Sequence, residues 1–184
     1  GAFGQVFKCL EKSAETPSNE SKVVALKVKG IKSRYSRRHN KDQIKDAEVD
    51  ILSSLSKSKS HEHIVHLLSD FHFSGHPCLV FECLGSNLFD VLKENSFQGL
   101  PMHVIRHILT QSLIGLNTLE AAGIIHADLK PENVLIKTLE SEGGGGGGGG
   151  IPDVQIIDFG SACRERGSLV SYTQSRFYRA PEVL

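Results

Sequence analysis

The segment I-I-H-A-D-L-K-P-E-N-V-L-I (124–136) places Asp128, Lys130 and Asn133 within six residues of one another. A carboxylate can accept or orient a proton, an ammonium can offset negative charge as it develops, and an amide oxygen is a hard ligand for a metal ion. Apolar pairs bracket the three, Ile124 and Ile125 before, Leu135 and Ile136 after, so the polar groups are clamped between strand-like pieces. Further candidates lie elsewhere in the chain. Gly1 and Gly4 would let a turn approach phosphates with its backbone N–H groups, where a side chain would stand in the way. Lys27 supplies a cation, Glu48 a carboxylate and Asp158 another hard oxygen donor. Taken singly, such signals have plainer readings, a tight turn for the glycines and a solvated strand lysine for Lys27.

These residues need elements to hold them. G-A-F-G-Q-V-F-K-C-L (1–10) reads as a glycine turn entering a strand, followed by the polar loop E-K-S-A-E-T-P-S-N-E-S. K-V-V-A-L-K-V-K-G alternates as a strand, with Val24, Leu26 and Val28 on one side and Val23, Ala25 and Lys27 on the other. Residues 41–56 space Ile44, Ala47, Ile51, Leu52 and Leu55 as one helical face. Two short strands follow around 65–73 and 77–82. From about Gly85 the pattern turns helical: N-L-F-D-V-L-K-E-N reads as a short helix. Residues 101–123 read as a long one, opened by Pro101 and closed by Gly123. Ile105, Ile108, Leu109, Leu116 and Leu119 form the buried stripe of that helix. The halves meet near 83–86, which suggests two lobes with a cleft between them. The glycine run 143–150 lies between V-L-I (134–136) and V-Q-I-I (154–157). It reads as a flexible insertion in a strand-to-strand connection.

Composition narrows the function classes. Apolar residues make up 39% of the 184 and charged residues 23%, the balance of a soluble globular chain. A net charge of zero gives no global argument for nucleic acid or for an anionic membrane. The basic cluster K-S-R-Y-S-R-R-H-N-K (32–41) reads as a solvated helix start before it reads as a nuclear-import signal. No apolar run approaches membrane-spanning length. Cys9, Cys78, Cys83 and Cys163 are scattered without a C-x-x-C pair, as free thiols in a reducing compartment would be. H-E-H-I-V-H (61–66) misses H-E-x-x-H because Val65 stands where the second histidine would be, so a histidine-rich strand entry is favoured over a metal site.

Order along the chain decides among these readings. G-x-x-G-x-V at 1–6, V-A-L-K at 24–27, a helical glutamate at 48, H-A-D-L-x-x-x-N at 126–133, D-F-G at 158–160 and A-P-E at 180–182 follow one another as the protein-kinase signature set does. By this resemblance the fold is α+β and bilobal, an antiparallel-sheet lobe with one main helix and a mostly helical second lobe. Residues 1–84 would be the first lobe and hinge, lacking the opening strand. Residues 85–184 would be a partial second lobe with catalytic loop, activation segment and glycine insert. The chain would then be a fragment poorly stable alone. The resemblance implies ATP and Mg2+, with Lys27 on the inner phosphates, Glu48 holding Lys27, and Asn133 and Asp158 on the metal. Asp128 would orient or accept the proton of the attacking hydroxyl and Lys130 would stabilise the transferred phosphoryl, a lysine that marks serine/threonine kinases. Val6 and Ala25 would roof the adenine and Leu135 would floor it. Phe81 would be the gatekeeper, with the backbones of Glu82 and Leu84 on the adenine edge. Leu52, Leu67, His126 and Phe159 would stack as a spine, or simply be core.

V-Q-I-I-D-F-G-S-A-C followed by Y-T-Q-S-R-F-Y-R-A-P-E-V-L resembles the dual-specificity tyrosine-regulated kinases, and within them the Yak-like branch. L-V-F-E-C-L-G-S-N-L-F-D-V-L-K-E-N-S-F-Q-G-L-P resembles the same branch, and the homeodomain-interacting kinases share H-A-D-L-K-P-E-N. Most kinases carry arginine before the catalytic aspartate, where it binds a phosphate on the activation segment; here Ala127 stands there. Loss of such a charge-assisted hydrogen bond removes roughly 1.5–3 kcal/mol, so the segment must be held otherwise or left unheld. The resemblance implies a phosphotyrosine at Tyr172 bound by Arg176 and Arg179, with Arg179 also favouring proline after the phosphoacceptor. The upstream tyrosine of the Y-T-Y-I-Q-S-R spelling is missing. The implied activity is phosphorylation of serine and threonine in proteins, with autophosphorylation on tyrosine, in nucleus or cytoplasm. A pseudokinase that only binds is the competing class, but Lys27, Glu48, Asp128, Asn133 and Asp158 are all present. A Walker-type G-K-[ST] loop is absent.

Overall fold

The computed structural model describes residues 4–12, 22–30, 46–56, 62–137, 153–166 and 173–183. Gly1, Tyr172, Ile44, the cluster at 32–41 and the glycine run lie outside them. The chain divides into two compact units, one of Gly1–Lys57 and His66–Cys83, the other of Ser58–Val65 and Leu84–Leu184.

The first unit is a four-stranded antiparallel sheet with one helix. Its strands are β1 (Gln5–Glu11), β2 (Lys22–Val28), β3 (Leu67–Phe73) and β4 (His76–Glu82), in the order β1-β2-β4-β3. Ser74 and Gly75 make a two-residue turn between β3 and β4, both with positive φ, the conformation whose twist matches that of the strands it joins. At the mouth of β1, Gly4 has φ +117°, and a Cβ there would stand 2.3 Å from the Val28 carbonyl oxygen. Only glycine fits. Helix α1 (Ala47–Ser56) buries Ile51, Leu52 and Leu55, as its periodicity predicts. Its first turn corrects that reading: Ala47 is exposed and Glu48 is buried in its stead. Apolar spacing predicts only where hydrophobes point, and here an ion pair turns the polar residue inward.

The second unit holds α2 (Leu88–Glu94), α3 (Met102–Ala121) and the short strands β5 (Ile124–Ile125), β6 (Val134–Ile136), β7 (Val154–Ile156) and β8 (Cys163–Arg164). Asn87 caps α2, its Oδ1 accepting the Asp90 N–H at 2.9 Å. Pro101 stands at the entry of α3, and Gly123, at φ +63°, lies just beyond its end. Ile108 of α3, Val134 and Val154 form a core patched by Leu88, Leu100, Val104 and Ile136. The predicted stripe is corrected at Leu109, which is 56% exposed. The buried line instead runs through Ile108, Gln111, Gly115 and Leu119. Two of these were invisible to an apolar count. Gln111 is buried because its Oε1 accepts the Val154 N–H and its Nε2 donates to Asp153 Oδ1, both at 2.6 Å. At Gly115 a Cβ would meet the His63 carbonyl oxygen at 3.1 Å.

Strands β6 and β7 pair antiparallel, and the Lys137 N–H donates to the Asp153 carbonyl at 2.7 Å. The glycine run therefore sits in a connection whose two ends are clamped side by side. Residues 62–65 lie against β7, with the Val65 N–H on the Ile156 carbonyl and His63 Nδ1 3.0 Å from the Val154 oxygen. That bond takes up His63 Nδ1 on the backbone, and among the described residues no group of three or more His, Cys, Asp and Glu side chains gathers at one point.

Candidate active site

In the first unit the site begins with a lysine that should not be buried. Lys27, on β2, is 7% exposed, and a buried ammonium needs a partner. Glu48 supplies it from α1: Nζ to Oε1 is 2.7 Å, and the Glu48 side chain is 1% exposed. The helix arrives in this register because Asp46 accepts the Glu48 N–H at 3.0 Å, at the end where a carboxylate suits the unpaired N–H groups. A second lysine joins them. Lys29 Nζ lies 2.9 Å from Glu48 Oε2 and 2.7 Å from Asp46, a contact the kinase motifs do not contain. Register places Val6 opposite Lys27, and Ala25 opposite Phe81. Because strand residues two apart share a face, Val6, Ala25, Lys27 and Phe81 line one side of the sheet. Val6 is 65% exposed there. Glu82 ends β4, opposite Val24.

In the second unit Asp128 is the centre. Its side chain collects donors from three residues: Lys130 Nζ at 2.8 Å and Asn133 Nδ2 at 3.3 Å on Oδ2, and Ser175 on Oδ1 through both Oγ at 2.6 Å and N–H at 3.1 Å. Asn133 also donates to the Asp128 carbonyl at 2.8 Å. Burial alone would push the Asp128 carboxyl up. Hydrogen bonds from Lys130, Ser175 and Asn133, with the charge of Lys130, outweigh it and hold the group below the usual carboxylate range. Lys130 bridges to Ser175 Oγ at 2.9 Å, so the hydroxyl accepts from the lysine while donating to the aspartate.

His126 supports this loop from beneath. Its Nε2 donates to the Ile157 carbonyl at 2.9 Å and its Nδ1 accepts the Asp128 N–H at 3.3 Å, which requires the neutral ring. Burial lowers its pKa, against the Ile157 carbonyl and the charges of Asp158 and Asp128, which pull upward. Phe159 packs edge-on against it at 5.0 Å between ring centres, so two of the expected spine residues touch. Leu52 and Leu67 belong to the other unit, buried and half-buried respectively. Asp158, next to Phe159 in the chain, adopts a left-handed conformation, φ 62°, its Oδ1 accepting from the Gly160 N–H at 3.3 Å. The Ile157 N–H donates to the Asn133 carbonyl at 2.9 Å, which ties the two expected metal ligands into one patch of backbone. Leu84 and Leu135 are both half-buried.

Ala127 adopts φ 66°, and its carbonyl accepts the Gln174 N–H at 3.0 Å. With Ser175 on Asp128, this ties residues 174–175 to the loop of Asp128 through backbone and hydroxyl rather than through a charged side chain at 127. The turn is braced from within: Arg179 donates to the carbonyls of Thr173 at 2.9 Å and Gln174 at 3.0 Å, and Gln174 Oε1 accepts the Ala180 N–H at 2.7 Å. Arg176 is exposed. Sequence reasoning missed Ser175, Lys29 and Asp46. Ser175 stands 47 residues from Asp128, and no local pattern could have joined them.

The family description "Protein kinase domain" matches residues 1–184. The chain is 38% identical over 184 residues to the serine/threonine-protein kinase ppk15 of Schizosaccharomyces pombe, covering all of this chain and 31% of that protein. It is 41% identical over 187 residues to the probable serine/threonine-protein kinase yakA of Dictyostelium discoideum, covering 100% of this chain and 11% of that one. It is 37% identical over 186 residues to the human dual specificity tyrosine-phosphorylation-regulated kinase 4, covering 100% and 32%. The chain thus spans a third or less of these relatives, and its similarity is to kinases of the Yak and tyrosine-regulated type.

Proposed function

This chain belongs to the protein kinase family, and on that premise we propose that it transfers the γ-phosphoryl group of ATP to serine and threonine hydroxyls of proteins. The observation that carries this reading is the Asp128 carboxylate, kept ionised and aimed by Lys130, Asn133 and Ser175. Phosphoryl transfer asks for alignment and charge cancellation more than covalent help. Asp128 holds the acceptor hydroxyl in line and takes its proton as the oxygen bonds to phosphorus and the β–γ bridging oxygen leaves with ADP. A carboxyl held below its usual range is a weak base, so orientation is its larger part. Lys130, already between Asp128 and Ser175, offsets charge on the phosphoryl oxygens. Lys27 meets the inner phosphates while Glu48 holds it in place.

The residues present suit Mg2+. The amide nitrogen of Asn133 is committed to Asp128, which turns the other end of that amide, a hard oxygen, to ligand duty. Asp158 adds a carboxylate, and Mg2+ is ordinarily held by one or two such groups together with substrate phosphates. Held by Asn133 and Asp158, the ion would supply positive charge against the phosphates. We further propose, from likeness to the tyrosine-regulated kinases, that the protein autophosphorylates on Tyr172 and prefers proline after the acceptor residue.

Phosphopeptide mapping of the full-length protein beside an Asp128→Asn variant tests the reading. Phosphate on serine, threonine and Tyr172 in the wild type, and a fall of about 10²–10⁴ in rate in the variant, is the expected result. Equal phosphate incorporation in both would refute it.

A further inference from the structure

Lys29 lies outside every motif that singled out the site, yet it is held as firmly as Lys27. Its N–H donates to the Pro77 carbonyl at 2.9 Å, and its own carbonyl meets His76 Nδ1 at 2.9 Å. From this fixed base the ammonium, its side chain 14% exposed, reaches both Asp46 and Glu48. Glu48 therefore divides its carboxylate between two cations, Oε1 to Lys27 and Oε2 to Lys29. We propose that Lys29 is a positioning residue for phosphoryl transfer. By occupying Oε2 of Glu48 it keeps that carboxylate from turning both oxygens on Lys27, and so leaves the Lys27 ammonium able to face nucleotide phosphates. This rests on the reading of Lys27 as the phosphate-contacting lysine.

The physical reason is competition for donors. A carboxylate has room for several hydrogen bonds, and one whose side chain is 1% exposed cannot fill them from water. Without Lys29 the cluster loses one positive charge and Glu48 Oε2 loses its 2.9 Å donor, and Lys27 is the cation already beside that carboxylate. The nucleotide must then compete for Lys27 against a stronger ion pair. Asp46 completes the arrangement by holding Lys29 and the first turn of α1 together.

The test compares full-length wild type with Lys29→Met, Lys29→Arg, Glu48→Gln and the Lys29→Met/Glu48→Gln double variant. Mg-ATP KM is read from steady-state kinetics and nucleotide Kd from equilibrium titration. For Lys29→Met both constants should rise about tenfold, the scale of one charge-assisted hydrogen bond, with kcat changed by less than roughly threefold. Lys29→Arg should restore both. In the Glu48→Gln background Lys29→Met should add nothing further, since the anion it neutralised is gone. An unchanged Kd in Lys29→Met overturns the proposal. So does a loss that persists undiminished in Glu48→Gln, or one explained wholly by a smaller folded fraction with normal KM. If the wild type binds nucleotide but transfers no phosphoryl group, the kinase reading fails, while the Kd comparison still decides the role of Lys29.

Discussion

The two charged clusters of this molecule are built on opposite plans. Around Glu48, two lysines meet two carboxylates, every cation facing an anion 17 to 21 residues away along the chain. Around Asp128, one carboxylate gathers a lysine, an amide and a hydroxyl, two of them from within five residues on the same loop. The first is a balanced ion-pair network whose geometry is that of a strand and a helix. The second is an acceptor loaded with donors, most of them neutral, on irregular backbone with left-handed residues at Ala127 and Asp158. A balanced network resists the loss of a member by leaving a buried charge exposed as a cost; a donor-loaded carboxylate loses orientation instead. Stability should therefore be sensitive at the first cluster and rate at the second.

The strongest way to break this contrast is at Glu48. Glu48→Ala removes the carboxylate that Lys27 and Lys29 share, and breaking a buried pair in this way costs about 3–5 kcal/mol. Lys27→Met leaves Glu48 paired with Lys29 and should cost less, about 1.5–3 kcal/mol. Urea midpoints of the two variants give the ranking, and a reversed order would mean that the network is not shared. At the second cluster, Ser175→Ala keeps the backbone N–H on Asp128 but loses the 2.6 Å hydroxyl bond. It should lower kcat about tenfold with little change in melting, and Ser175→Thr should recover most of the rate.

A proton perturbs the same loop more gently. His126 is neutral when folded and its pKa is lowered, so the unfolded chain binds the proton more tightly. Stability is then full above the ordinary value of 6.5 and declines as pH falls from there toward the folded pKa. Asp128, also lowered, adds a loss in the same direction below 3.8. Melting temperature against pH should show the first decline, and His126→Phe should flatten it. Smallest of all is a change outside both clusters. Deleting the glycines 143–150 about halves the connection between Lys137 and Asp153. Since that connection is closed at its base by β6–β7 pairing, loop-closure entropy predicts a gain of only about 0.6 kcal/mol. A loss of activity on that deletion would give the run a function.

Legibility followed distance along the chain. Asp128, Lys130 and Asn133 could be read because they sit close together on a single loop, and the strands around 65–73 and 77–82 and the short helix α2 because each is a local run of residues. Leu109 and Ala47 were misplaced because apolar spacing ignores a buried glutamine that satisfies a strand end and a buried glutamate that satisfies two lysines. Ser175, Lys29 and Asp46 were not legible at all, having ordinary residue types at positions that carry no pattern.

By itself, the sequence determined the order of motifs, the residue types able to move a phosphoryl group and the turns that only glycine or a capping residue allows. These are local matters, decided by backbone sterics and by chemistry carried on single side chains. Only the tertiary structure decided that Glu48 serves two lysines, that Ser175 completes the Asp128 site, and that residues 174–175 are held at Ala127 by a carbonyl where a charge is missing. Each of those depends on how far buried polar groups can reach for partners once the chain has brought distant segments together.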